Sequence, residues 1–381
     1  MRILIACDAF KDSLSAEAAN QAIAQGWQRA RPHDELLLIP MADGGEGSLA
    51  VLLSDGQGQA QHCLVEGPLG QPRNAQWGLW PDGLAVIELA EASGIQHLAP
   101  SERNALTSSS FGTGELINAA LQAGARALLI TLGGSACNDG GAGILQALGA
   151  RLLDKHRQPL PRGGAALAQL ATLDLAALPA ALQQIPIAIA CDVDNPLCGP
   201  QGASAVFGPQ KGASPADVAQ LDSALSHFAD LLAQACGRDV RTQPGVGAAG
   251  GAAFALLSIA PQATLQAGLS LIAERRQLPE QLQHCDLLIT GEGRLDGQSL
   301  GGKTPVALAR LAQQRGIPCI ALCGSLNAEP AELAAQGITA AFSLCNTPMD
   351  LATAIANGAA LLSQQAESVA RLLTLRETLS P

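Results

Sequence analysis

Tyrosine is absent from these 381 residues, and aromatic side chains make up 2% of them. The core must therefore be aliphatic, built from Leu, Ala, Ile and Val. Charge is scarce as well: 14% of residues are Asp, Glu, Lys or Arg, against about 25% in an average domain. Disorder requires many charges and few apolar residues, and hydrophobic residues here reach 48%, so disorder is excluded for most of the chain. No basic run exceeds the pair Arg275–Arg276, and the formal net charge is −11. A nucleic-acid partner needs a basic face, so none is expected.

No C-x-x-C occurs among the ten cysteines. Cys7, Cys191, Cys285 and Cys345 lie in or beside apolar runs, which reads as buried thiols of a reducing cytosol rather than a disulfide framework or zinc site. Long apolar runs are missing too. The charge-free passage from Thr242 to Ala273 contains Pro244 and Pro261, and its solid apolar part is only Ala252 to Ala260. That is too short to cross a bilayer of about 30 Å as a helix. The apolar stretch Ile3 to Cys7 ends at Asp8, too short for a signal peptide. The expectation is a cytoplasmic protein with no membrane partner.

What the chain does have is glycine, 41 residues of it, with 22 prolines. At about 150 residues per domain the length suggests two domains. Both chain ends alternate short apolar runs with helical patterns. The runs are Ile3–Ala6, Leu36–Ile39, Asp286–Thr290, Ile317–Cys323 and Thr339–Leu344, and they read as buried strands of one parallel sheet. Ser15 is placed to cap the first helix, and Thr347, with Pro348 after it, to cap the last. Between the ends, Cys63–Val65, Gln76–Trp80 and Leu84–Leu89 follow too closely for crossover helices and predict an antiparallel meander. A helix is expected over Gly141–Leu153. The layout is α/β: a doubly wound parallel-sheet domain from 1–60 plus 285–381, with a mixed α/β domain, 61–284, inserted.

Ligands of open α/β sheets bind at the carboxyl ends of strands, so the loops there are the candidates. The first is Asp8-Ala9-Phe10-Lys11-Asp12-Ser13-Leu14-Ser15, holding one of only four lysines in the chain. A lysine between a strand and a helix start can hold an anion; the alternative is a solvated loop. Asp43-Gly44-Gly45-Glu46-Gly47-Ser48 sets two acids around glycines that permit close backbone approach; the alternative is a tight strand-to-helix turn. Gly133 to Gly143, with Ser135, Asn138 and Asp139, follows an apolar strand and opens a helix, which is the recipe for a phosphate cradle; the alternative is a sharply packed turn. Asp192-Val193-Asp194 ends a strand and suits a magnesium ion or a general base, or plain turn chemistry before Pro196. Gly208-Pro209-Gln210-Lys211-Gly212 lies downstream. Gly291 to Thr304 includes Arg294, Asp296 and Lys303, and its end fits G-x-x-x-x-G-K-T. A P-loop would start at the strand end, and this match starts several residues later.

Taken together the chain resembles the bacterial type I glycerate kinases. The motifs are D-x-F-K-x-S-L-S from Asp8, A-D-G-G-E-G from Ala42, G-G-S-A-x-N-D-G-G-A-G from Gly133, A-C-D-V-D-N-P-L-C-G-P from Ala190, G-P-Q-K-G from Gly208 and G-E-G-R-L-D from Gly291. They span nearly the whole chain. Cys7 and Ala9 depart from the Pro and Ser usual in that family. The resemblance implies a flavodoxin-like domain with an insertion, and ATP- and magnesium-dependent phosphorylation of glycerate. 2-Phosphoglycerate is favoured over 3-phosphoglycerate. A P-loop NTPase and a non-enzymatic small-anion binder are the alternatives, and a homodimer stays open.

The resemblance does not assign roles; those follow from phosphoryl-transfer chemistry, which is mostly positioning and charge neutralisation. Asp192 is expected as base or magnesium ligand, with Asp194 as second ligand, Asp296 as its catalytic partner and Lys11 as catalytic cation. Ser13, Asp43, Gly44, Gly45, Glu46, Arg294 and Lys303 are assigned to glycerate, and Gly133, Gly134, Ser135, Asn138, Asp139 and Lys211 to ATP.

Overall fold

Short aliphatic runs bounded by Gly, Pro or Asp become strands in the computed structural model, which describes residues 1–297 and 302–379. The strands are β1 (Arg2–Ile5), β2 (Glu35–Leu38), β3 (Gln59–Glu66), β4 (Pro72–Leu79) and β5 (Leu84–Glu88). There follow β6 (Ala127–Thr131), β7 (Arg151–Leu153), β8 (Thr172–Asp174), β9 (Ile187–Ala190) and β10 (Ala263–Gln266). The last are β11 (Leu287–Thr290), β12 (Arg294–Asp296), β13 (Cys319–Cys323), β14 (Ser325–Asn327) and β15 (Ala340–Ser343).

The chain falls into two units. A terminal unit holds Met1–Asp43, Ala50–Asp55 and the chain from Leu269; an inserted unit holds Gly44–Leu49 and Gly56–Gly268. These seams differ from the expected division at 60/61 and 284/285. At the second seam, most of the helix Gly268–Arg275 and all of Leu278–Leu282 go with the terminal unit.

The terminal unit carries the five strands read from the two chain ends, in the order β15-β13-β11-β1-β2, all parallel. Counted along the unit, this is the 2-1-3-4-5 order of flavodoxin-like folds. Parallel strands covered on both faces need continuous apolar runs. Ile3, Leu4 and Ile5 are fully buried, and β11 and β13 are buried throughout. The helix Ala16–Ala30 starts where expected, the Ser15 hydroxyl accepting from the Ala18 N–H at 3.2 Å. It packs on the helix Gly358–Leu379 so closely that a Cβ on Gly26 would overlap the Ser363 carbonyl oxygen. The order of the sheet reverses between β1 and β11, so this unit's crevice lies at their carboxyl ends.

The inserted unit has a mixed sheet, β10-β9-β6-β5-β4-β3. The meander β3-β4-β5 is antiparallel, and β5, β6, β9 and β10 then run parallel. Its aliphatic core holds Ile87, Ile130 and Leu145, with Phe228 and Phe254 packed edge to face at 6.0 Å.

Three local expectations are corrected. The helix after Gly141 spans only Ala142–Ala147, because Gly149 adopts a φ of 105° and residues 151–153 become β7. Asp350, not Thr347, caps the penultimate helix: its carboxylate accepts from the Thr353 N–H at 2.7 Å, and Leu351–Ala356 precedes a separate helix Gly358–Leu379. Cys345 is exposed, lying past the end of β15 rather than in an apolar layer, and Cys191 is half-buried. All ten cysteines are free thiols. Among the described residues, no helix is long and apolar enough to cross a membrane.

Candidate active site

In the inserted unit, loops at the carboxyl edge of the sheet close on one another through glycines. β6 ends at Thr131, and Gly133 follows. A Cβ on Gly133 would overlap the Cα of Gly45, and the Gly133 N–H donates to the Gly44 carbonyl at 3.3 Å. Gly44 adopts a φ of 90°, which strains any other residue, and a Cβ there would sit tightly, 3.0 Å from Ala190 Cβ and from Gly268 Cα. The Gly268 N–H in turn donates to the Asp192 carboxylate at 3.0 Å. Three sequence-predicted segments thus meet, Gly44–Glu46, Gly133–Gly134 and the end of β9 with Asp192, joined by Gly268 after β10, which the sequence does not single out. Glu46, Gly134, Asp192 and Asp194 are exposed there, and Gly45 and Gly133 are half-buried.

Other predicted ligands serve the loop from inside. Asp139, expected on the nucleotide, is fully buried. Its carboxylate accepts from the Ser110 N–H at 2.8 Å, the Ser110 hydroxyl at 2.9 Å, and the Gly141 and Gly143 N–H groups at 3.1 and 3.2 Å. Asn138, also fully buried, donates to the Ser204 hydroxyl at 2.8 Å. Lys211 is 2% exposed and donates to the Ser135 hydroxyl at 2.8 Å and the Cys137 carbonyl at 2.6 Å. Burial lowers its pKa, with Cys137 and Asp139 opposing that shift. The carboxylate of Asp139, the amide of Asn138 and the ammonium of Lys211 are thus all hydrogen-bonded within the protein. Lys211→Met is expected to lower Tm, since two buried acceptors lose their donor at about 1–3 kcal/mol each. Thermal melting with ATP kinetics checks this. A variant that keeps its Tm but raises KM for ATP would restore Lys211 to the phosphates.

Glu88, which the sequence reading had inside a strand, holds the first glycine loop. It is 3% exposed, and its oxygens accept from the Gly47 and Leu49 N–H groups, both at 2.9 Å. Burial pushes its carboxyl up to about 7, against the pull of those two donors.

In the terminal unit, the loops after β1 and β11 flank the switch point. The Asp8 N–H donates to the Gly291 carbonyl at 3.0 Å. A Cβ on Gly291 would overlap the Leu322 carbonyl oxygen, so glycine is required there. Asp8 is partly buried and accepts from the Thr304 hydroxyl at 2.6 Å and the Ala9 N–H at 2.7 Å. Burial pushes its carboxyl up to about 7; Asp43, and to a smaller extent Glu292, push the same way, while the Thr304 and Ala9 donors pull back. The Met41 N–H on the Cys7 carbonyl at 2.9 Å carries the β2 segment alongside and brings Asp43 near.

Lys11 and Lys303 are exposed, Lys303 at the cap position of the helix Thr304–Gln313. Asp296, expected as a catalytic partner, is ion-paired with Arg294 at 2.8 Å; Arg294 is 70% exposed and Asp296 13%. Ser13, assigned to substrate, donates its hydroxyl to the Ile355 carbonyl at 2.8 Å and ties the loop to the penultimate helix. Residues 298–301 of the P-loop-like pattern lie outside the described residues, and its threonine hydroxyl is on Asp8.

Asp8, Thr304 and Glu88 are therefore the residues the sequence reading did not assign. Asp8 carried a signal, an acid directly after a buried strand, but its weight depends on strand order. Glu88 carried a fainter one, a lone acid closing an apolar strand.

Comparison with known proteins agrees with this architecture. Residues 3–374 match the model of the glycerate kinase family. A glycerate kinase of Haemophilus influenzae is 45% identical, covering 99% of this chain and 100% of the relative. A glycerate 2-kinase of Escherichia coli is 44% identical over 90% of each chain. A crystal structure from Salmonella typhimurium LT2, described as a glycerate kinase 2, superposes with a TM-score of 0.87 at 42% identity, covering all of both chains.

Proposed function

The chain belongs to the glycerate kinase family, and from that premise we propose that it transfers the γ-phosphoryl group of ATP to a hydroxyl of glycerate. Within the structure, the observation that carries the reading is the contact of Gly45 with Gly133. Two glycine loops that touch where a Cβ on Gly133 would overlap Gly45 offer bare backbone at a strand edge, the arrangement that suits phosphoryl oxygens. Gly44, Gly45, Gly133 and Gly134 take this role, and Ser135, Asn138, Asp139 and Lys211 hold the second loop in shape.

Glycerate is small and anionic, so its carboxylate needs cations in a protein of net charge −11. Lys11, Lys303 and Arg294, the last steered by Asp296, are the exposed cations of the terminal-unit loops. We assign the C2 hydroxyl as acceptor, in keeping with the name of the Escherichia coli relative.

Among the described residues, no three His, Cys, Asp or Glu side chains converge as metal ligands. A magnesium ion that arrives with ATP needs only one or two protein carboxylates beside phosphate oxygens and water. Asp192 and Asp194 fit that need: both are exposed, and the Gly268 N–H fixes one oxygen of Asp192. Bound there, magnesium would neutralise phosphate charge. Asp43 and Glu46 are the exposed acids of the first glycine loop. Ten free thiols suit a reducing compartment, and we place the enzyme in the cytoplasm.

The test is ADP formation by purified protein with ATP and magnesium. It should depend on D-glycerate and not appear with sugars. ADP formation indifferent to glycerate would overturn the reading.

A further inference from the structure

We propose that Asp8 is the general base of the transfer, held in place by Thr304. The inference rests on the phosphorylation of glycerate proposed above and names the group that takes the hydroxyl proton. Position is the first argument. In a parallel sheet of this order the reactive crevice opens where the strand order reverses. Asp8 follows β1 at that point, and its N–H is bonded to Gly291 beyond β11.

Orientation is the second. One Asp8 oxygen accepts from the Thr304 hydroxyl at 2.6 Å and the other from the Ala9 N–H at 2.7 Å. Thr304 is the first residue of the helix Thr304–Gln313 and is buried. A base must be held within hydrogen-bond reach of the proton it abstracts, and two fixed donors from two elements do this. The other acids suit other tasks: Asp296 is paired with Arg294, and Asp139 is fully buried.

Basicity is the third argument. The groups facing Asp8 are the Asp43 and Glu292 carboxylates, the Thr304 hydroxyl and, on its own strand end, the Cys7 thiol. Burial and the two like charges raise the carboxyl to about 7, close to the range that suits a base at neutral pH. In the step, the glycerate O–H proton moves to Asp8 as the hydroxyl oxygen bonds to the γ-phosphorus. The bond from that phosphorus to the β–γ bridging oxygen breaks, and ADP leaves with its electron pair. Asp8 then returns the proton to water.

Asp8→Asn should lower kcat at least ~100-fold, the lower end of general-base contributions. A raised carboxyl supports the fold below its ordinary pKa and loses that support as pH rises through about 7. Asparagine escapes the loss, so the variant should melt no lower than wild type at pH 8. The pH profile separates catalysis from structure. Wild-type kcat/KM should fall on the acid side near pH 7. Asp43→Asn removes a like charge and should move that limb to lower pH. Thr304→Val removes a donor to the carboxylate and should move it to higher pH.

Near-wild-type turnover by Asp8→Asn, or an acid limb that neither variant moves, overturns the assignment while leaving the glycerate kinase reading standing. Wild-type protein that forms no glycerate-dependent ADP overturns both.

Discussion

Gly133→Ala is expected to cut kcat/KM about 100-fold while the protein stays folded. The added methyl would overlap Gly45 Cα, which is backbone and cannot rotate aside. Gly44 cannot yield either, since Ala190 and Gly268 stand behind it. The loop from Gly44 to Gly47 must therefore lift off the strand edge, against the two hydrogen bonds by which Glu88 holds it. Displacing a positioning element by about 1 Å can reduce a rate about 100-fold. The sheet beneath is closed by the aliphatic cluster around Ile87 and Ile130 and is untouched by the change. Steady-state kinetics with ATP as the varied substrate, alongside circular dichroism, checks this. Wild-type kinetics would mean that the two glycine loops need not meet for turnover.

Asp192→Asn should have an effect of similar size through charge alone. Asparagine retains an oxygen to accept the Gly268 N–H, so the end of β9 keeps its anchor. What is lost is a negative charge beside Asp194, where magnesium is proposed to sit. Charge stabilisation by a metal is worth several kcal/mol, and each 1.36 kcal/mol is about tenfold in rate, so a fall of ~100-fold or more follows. The magnesium concentration for half-maximal rate should rise, and Tm should hold. An Asp192→Asn enzyme with unchanged rate and unchanged magnesium dependence would place the metal elsewhere.

The framework was legible because it rests on patterns that need no tertiary knowledge. The runs at Ile3, Leu36, Leu287, Ile320 and Ala341 are apolar on both faces, and only a covered parallel sheet accommodates that. The meander was legible from spacing, since no crossover helix fits between Glu66 and Pro72. Glycine loops at strand ends marked the site region for the same local reason.

Most of what was not legible depends on contacts distant in sequence. Asp139 and Lys211 look like ligands in a glycine loop, and only the fold shows that Ser110 and Ser135 engage them. Asp8 lies 296 residues from the hydroxyl that orients it. Its place at the switch point exists only once β11 is known to pair with β1. The pairing of Asp296 with Arg294 spans two residues of one short strand and depends on both side chains sharing a face. The seam at Gly268 leaves no mark in the sequence, because the charge-free stretch around it shows no change in composition.

Phosphorus NMR of the reaction mixture tests the central claim most directly. With D-glycerate, ATP and magnesium, the γ-phosphate signal should fall as a new phosphomonoester signal grows. The new signal should be split into a doublet by the single proton on C2. Loss of γ-phosphate to inorganic phosphate alone, with no phosphomonoester, would contradict the account.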